Sequence, residues 1–171
     1  YHADMDNPDT AIGDLAVVAL DLLIDAVATL GPQDWDAPSN LDDWTVRDLV
    51  GHATGSAAKI VALLEGGEIW QGPSRPADWI VDDPTARLTE LAGRLRSALP
   101  GADFDALRPS PGGEVPLRTA LGFPVCDLAL HSWDIHRSQG RLTELPDEVL
   151  TLTRTMVRSL PEDRLRRPGA F

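Results

Sequence analysis

Asp127, His131 and Asp134 are the residues whose types and spacing bring acid–base or metal chemistry within reach. In a helix, positions four apart share a face, so Asp127 and His131 stack; Asp134 follows three residues later on the same side. At about 100° per residue, Leu117, Leu121, Leu128 and Ile135 cluster on one arc, and the three polar residues form a seam on its shoulder. A carboxylate and an imidazole at the edge of a core-facing stripe must be hydrogen-bonded, paired or metal-bound, because burying either alone is costly. His52 is the other candidate. It lies in an earlier helical pattern, at the edge of the apolar stripe, between Gly51 and Gly55. A glycine inside a helix costs about 1 kcal/mol relative to alanine, so both positions predict close approach of another backbone or of a ligand. For His52 itself two readings stand: a core imidazole satisfied by one hydrogen bond, or a ligand.

The elements that must position these residues are helices. Asp9 and Thr10 are cap residues for a first helix through Ile12, Leu15, Val18, Leu22, Val27 and Leu30, stopped by Gly31-Pro32. Thr45 with Asp48 forms a capping box for the second, with Trp44 as a staple before it and Gly66-Gly67 as its stop. Asp83-Pro84 opens a third, carrying Leu88, Leu91, Leu95 and Leu99. The fourth is predicted from Pro116 to Gln139, with Pro124 forcing a kink or a restart. A fifth runs from Leu145-Pro146 to Leu160. Between them, 68–82 is long for a bundle connection; Trp70 and Trp79 there either wall a ligand site or cover the core. The stretch 102–115, with Pro109, Pro111, Gly112 and Gly113, leaves room for a short hairpin, but strict alternation is nowhere convincing. The expected fold is all-α, an up-and-down four-helix bundle with long connecting loops and an extra C-terminal helix.

Composition narrows the function. The 171 residues suit one domain with a single core, here taken as 1–171, with 1–8 a tag remnant or frayed end and 163–171 a frayed basic tail. Acidic residues outnumber basic ones 27 to 15, for a net charge of −12. That excludes nucleic acid and disfavours anionic membrane surfaces, both of which need a basic patch. No apolar run approaches the roughly 18 residues of a membrane span. A single cysteine, Cys126, forbids an internal disulfide and suits a reducing cytoplasm; a buried, inert thiol is the expectation for it.

In a bundle, metal sites are built from inward side chains on facing helices. His52 with Asp127 and His131 makes two imidazoles and one carboxylate, a set that suits zinc or another first-row divalent ion such as nickel and leaves coordination positions open.

Two stretches carry a resemblance. Pro38 to His52, with Trp44-Thr45-Val46 and Leu49-Val50-Gly51-His52, resembles the signature of the DinB-like, mycothiol-dependent maleylpyruvate isomerase superfamily. Asp127-Leu128-Ala129-Leu130-His131-Ser132-Trp133-Asp134 is similar to its second motif, an acidic residue four before a histidine and then Trp-Asp. Together they cover about a quarter of the chain. The resemblance implies a DinB-like bundle and a divalent metal held by His52, Asp127 and His131, with Asp134 orienting a ligand histidine. Trp133 is then structural, and His136 lies off the ligand face. The isomerase has Glu where this chain has Asp127, which predicts a shorter ligand arm. It also carries a C-terminal domain for which 171 residues leave no room.

Two functions follow from the resemblance and the residues together. One is an enzyme in which the metal activates mycothiol or a similar thiol for isomerisation or S-transfer on a small electrophile. The other is a metal- or small-ligand-binding module without turnover, the seam satisfied in its blandest form by a His131–carboxylate hydrogen bond and no metal. The chain is expected to act as a monomer or homodimer.

Overall fold

The computed structural model describes residues 8–165. Helix α1 is Pro8–Ala28, α2 is Val46–Glu65, α3 is Pro76–Trp79 and α4 is Pro84–Ala98. A hairpin of β1 (Leu107–Ser110) and β2 (Gly113–Pro116) precedes α5 (Leu117–Ala120), α6 (Gly122–Ser138), α7 (Asp147–Ser159) and α8 (Glu162–Leu165). Helices α1, α2, α4 and α6 form the bundle, and the fold is all-α as expected. Its core joins Leu20 and Leu23 of α1, Leu49 and Ile60 of α2, Leu88, Leu91 and Leu95 of α4, and Leu128 and Ile135 of α6, each at most 1% exposed. Burying a leucine or isoleucine of this kind contributes about 1.5–3 kcal/mol. Among the described residues, no helix is long and apolar enough to cross a membrane.

The directions of the four helices follow from their cross-contacts. The end of α1 meets the end of α6, where Gln139 Nε2 donates to Thr29 Oγ1. Helix α2 begins beside the end of α6, with Asn40 bonded to Asp134 and Ser138. Arg96 of α4 pairs with Asp21 of α1, and Arg94 with Glu65 at the end of α2. Helices α2 and α4 therefore run the same way, against α1 and α6. Simple up-and-down alternation gives way to up-down-down-up, because the segment 66–83 is long enough to return to the start of α2 before α4 begins.

Several local expectations meet a physical adjustment. The Thr45–Asp48 capping box is present in both directions, and Gly66 closes α2 in the left-handed conformation at φ 75°. Helix α1 already includes Asp9 and Thr10, which therefore lie inside its first turn and not ahead of it. The fourth predicted helix is divided: α5 ends at Ala120 and α6 restarts at Gly122, placing Pro124 in the first turn, where no intrahelical donor is needed. The hairpin forms at 107–116, and Arg108 on β1 ties it to the end of α2 through the carbonyls of Ala62 and Gly67. Of the two segments expected to fray, Pro8 is helical while 1–7 lie outside the described residues. Residues 163–165 belong to α8, whose first turn carries Glu162 and Asp163, suited to the positive end of a helix; 166–171 again lie outside the described residues.

Candidate metal centre

Helices α2 and α6 run antiparallel, and their facing residues bring His52 and Ser56 against His131 and Asp127. Asp127 is the hub. Its Oδ2 lies 3.1 Å from His52 Nε2, its Oδ1 lies 3.1 Å from His131 Nε2, and Ser56 Oγ donates to Oδ2 at 2.5 Å. The rings meet edge to face, with centroids 4.8 Å apart, and Trp44 stands 5.0 Å from the His52 ring. One ligand atom from each of His52, Asp127 and His131 falls within 4.8 Å of the others, the one such group among the described residues. Both histidines are buried, while the Asp127 side chain remains 35% exposed, so the cluster opens to its surroundings through the carboxylate.

The far nitrogens of both rings decide what the near ones do. His52 Nδ1 lies 2.7 Å from the carbonyl of Ser74, which can only accept, so Nδ1 carries the proton. His131 Nδ1 lies 3.0 Å from Asp134 Oδ2 and donates to it for the same reason. Asp134 is itself held by Asn40 Nδ2 at 2.7 Å, and Ser138 Oγ links Asn40 to the Asp134 carbonyl. In neutral rings so oriented, both Nε2 lone pairs point at the Asp127 carboxylate. Three acceptors converging on one another require a cation or protons between them. The donor set thus fits a divalent metal: two imidazoles and a carboxylate, each imidazole oriented from behind by an acceptor.

A family model described as the mycothiol maleylpyruvate isomerase N-terminal domain matches residues 18–136. The chain belongs to this family. Two solved structures share its fold at 17% identity, each alignment covering 89% of this chain and 70% of the other. They are a mycothiol-dependent maleylpyruvate isomerase, at a TM-score of 0.71, and a histidine-to-alanine mutant of the mycothiol-dependent maleylpyruvate isomerase, at 0.69. Among curated proteins none matches the chain. In this member of the mycothiol maleylpyruvate isomerase N-terminal domain family, His52, Asp127 and His131 all fall inside the matched span.

The charge balance of the cluster is strongly coupled. Burial pushes the Asp127 carboxyl up, but its contacts with the His131 and His52 rings, whose protonated forms it pairs with, outweigh burial and hold it well below the usual carboxylate range. Burial pushes the His131 imidazolium down, but its bonds to Asp127 and Asp134 and their charges raise it to about 9. Without a metal, therefore, the cluster holds its proton on His131 at neutral pH.

Gly51 is explained by close backbone, and Gly55 by the Ser74 and Trp79 side chains. A Cβ at Gly51 would stand 2.8 Å from the Pro76 carbonyl oxygen, and one at Gly55 would stand 2.3 Å from Ser74 Cβ. The strap of residues 74–80 thus lies directly on α2, which is what brings the Ser74 carbonyl to His52. Trp70, just before the strap, packs tilted against Trp79 within it at 5.0 Å, and Trp70 Nε1 donates to Ser74 Oγ at 3.0 Å.

The remaining sequence candidates lie outside the cluster. Trp133 is half-buried on another face of α6. Burial, aided by the charge of Arg141, lowers the His136 pKa. Cys126 is buried and its thiol is pushed up by burial, against a hydrogen bond with Thr153 of α7. It borders a groove between α6 and α7, lined also by Phe123, Leu130, Met156 and Val157, onto which Asp127 opens. Sequence reasoning gave no role to Ser56, Lys59, Asn40 or the Ser74 carbonyl. Ser56 and Lys59 share the His52 face of α2 by spacing alone and were readable there; a main-chain carbonyl carries no sequence signal.

Proposed function

We propose that His52, Asp127 and His131 hold a divalent first-row metal, zinc first and nickel among the alternatives, at a centre that uses mycothiol or a similar thiol. The reaction is an isomerisation or S-transfer on a small electrophilic molecule in the reducing cytoplasm, where such a thiol stays reduced. When bound, the metal supplies a Lewis acid that lowers the pKa of a thiol or water. The observation that carries this reading is the convergence of two Nε2 lone pairs on one carboxylate, with each Nδ1 already committed to an acceptor.

The chain's own residues have distinct parts in it. Asp134 and the Ser74 carbonyl fix the tautomers and the ring planes. Ser56 holds Asp127 Oδ2 from the side. Trp44 and the strap keep water from the back of His52, and the groove beside Asp127 offers an apolar approach. The reading treats the chain as one metal-binding domain.

A second reading has its own support. A His131 ring protonated on both nitrogens donates to Asp127 and Asp134, and Ser56 donates to the other Asp127 oxygen, so the same residues also read as a metal-free hydrogen-bonded cluster, or as a metal site without turnover. Elemental mass spectrometry on tag-free protein separates these. Near-stoichiometric zinc or another divalent metal, lost in both His52→Ala and His131→Ala, is the expected result. A native chain that stays metal-free after incubation with Zn²⁺ would remove the catalytic reading and leave the triad.

A further inference from the structure

We propose that Lys59 is an anion-docking residue of this site, holding a carboxylate of the small molecule presented to the His52–Asp127–His131 cluster. The proposal rests on reading that cluster as a substrate-binding centre. Lys59 is the single lysine of a chain with fourteen arginines. On α2 it stands one turn beyond Ser56 and two turns beyond His52, on the same face. Its ammonium donates to the Gly72 carbonyl at 2.8 Å and lies 5.2 Å over the Trp70 ring. Trp70 bonds Ser74 Oγ, and the Ser74 carbonyl holds His52. Cation, indole and imidazole are therefore mounted on one continuous wall made by α2 and the segment 70–74.

The chemistry of that ammonium is incomplete. It has three donors, and Gly72 takes one. Arg47, Arg75, Arg87, Arg94, Arg96 and Arg118 each pair with an Asp or Glu. Among the described residues Lys59 makes no such pair; the carboxylate whose charge reaches it is that of Asp127, and burial works against its charge. A half-buried cation without a counter-ion is costly, and an entering anion removes that cost. The chain's net charge of −12 repels anions generally, so a carboxylate-bearing ligand needs a local positive site. A lysine on a flexible stem, as a point charge beside the cluster, supplies it.

The test uses the full chain expressed with lysine labelled by ¹³C at Cε, which gives one signal because there is one lysine. Zinc-treated protein is titrated with maleate as a small dicarboxylate probe and with dimethyl maleate as its uncharged counterpart. Maleate should shift the Lys59 signal saturably and dimethyl maleate should not. By calorimetry, Lys59→Met should weaken maleate binding by about tenfold or more, the scale of one lost charge-assisted hydrogen bond. Lys59→Arg, which keeps the charge and guards against a folding artefact, should retain binding. The idea is overturned if maleate leaves the Cε signal unmoved or binds Lys59→Met as tightly as the native chain. Metal content measured on the same samples separates failure of the metal reading, since the Cε signal reports on Lys59 with or without zinc.

Discussion

Replacing Gly55 with alanine should push the 74–80 strap off α2 and loosen His52. The new Cβ would meet Ser74 Cβ at 2.3 Å, Ser74 Oγ at 2.6 Å and Trp79 Cδ1 at 2.7 Å. None of these can simply swing away. Ser74 Cβ moves only with its backbone, its Oγ accepts from Trp70, and Trp79 packs against Trp70. Alanine gains about 1 kcal/mol of helix propensity over glycine, whereas overpacking a filled site costs about 1–3 kcal/mol. The net is a loss of up to about 2 kcal/mol. Gly93, exposed on α4 with nothing within 4 Å of its would-be Cβ, feels only the first effect, so Gly93→Ala should stabilise by about 1 kcal/mol.

Urea unfolding of the two variants, followed by circular dichroism, should place their midpoints on opposite sides of the native one. In thermal melts the scale is about 2–4 °C per kcal/mol for a chain of this size. Zinc affinity gives the functional readout. Displacing the Ser74 carbonyl from His52 Nδ1 removes the acceptor that orients a ligand ring, an effect of about 10- to 100-fold, while Gly93→Ala should leave affinity untouched. A Gly55→Ala protein as stable as Gly93→Ala, with native zinc affinity, would refute the close-packing argument.

Two further outcomes follow from the cluster. His131 has a folded-state pKa of about 9 against an ordinary 6.5, so folding favours its protonated form. That stabilisation is complete below about pH 6.5 and is lost as pH rises through about 9. Melts of the metal-free chain across that range should therefore fall more steeply than those of His131→Gln, and parallel curves would contradict the assigned charge state. Asp134→Ala removes the acceptor behind His131 Nδ1 and should weaken zinc binding by about 10- to 100-fold. Unchanged affinity in a competition titration with a chelator would show that Asp134 serves only Asn40 and the end of α6.

The helices were legible because caps and stops are local: Thr45 with Asp48, Gly66 and Pro84 act within a turn of themselves. The break ahead of α6 was half legible, since Pro124 announces a disturbance but permits the helix to restart two residues before it. The sequence alone does not decide the hairpin at 107–116, because its strands are short and partly exposed, without an alternating buried face. Helix direction was not legible either. It depends on how far 66–83 travels, which no residue in that segment encodes by itself. In the cluster, His52, Asp127 and His131 could be named from spacing and motif, because ligand chemistry restricts residue type. The partner of His52 could not, because it is a carbonyl brought 22 positions across the fold by two glycines.

Aspartate at position 127, where the resemblance leads one to expect glutamate, has a structural account. A carboxylate one methylene shorter must lie closer to its partners' backbones to reach them. Here the antiparallel crossing of α2 and α6 is close enough that the two oxygens divide the work, Oδ2 facing His52 and Oδ1 facing His131, each at 3.1 Å. Ser56 turns the close approach to use by donating to Oδ2. Lengthening the arm to glutamate would drive its carboxylate into the space the two imidazoles and Ser56 already occupy. The shorter side chain thus suits a site in which His52 and Ser56 of α2 and His131 of α6 all reach one carboxylate directly.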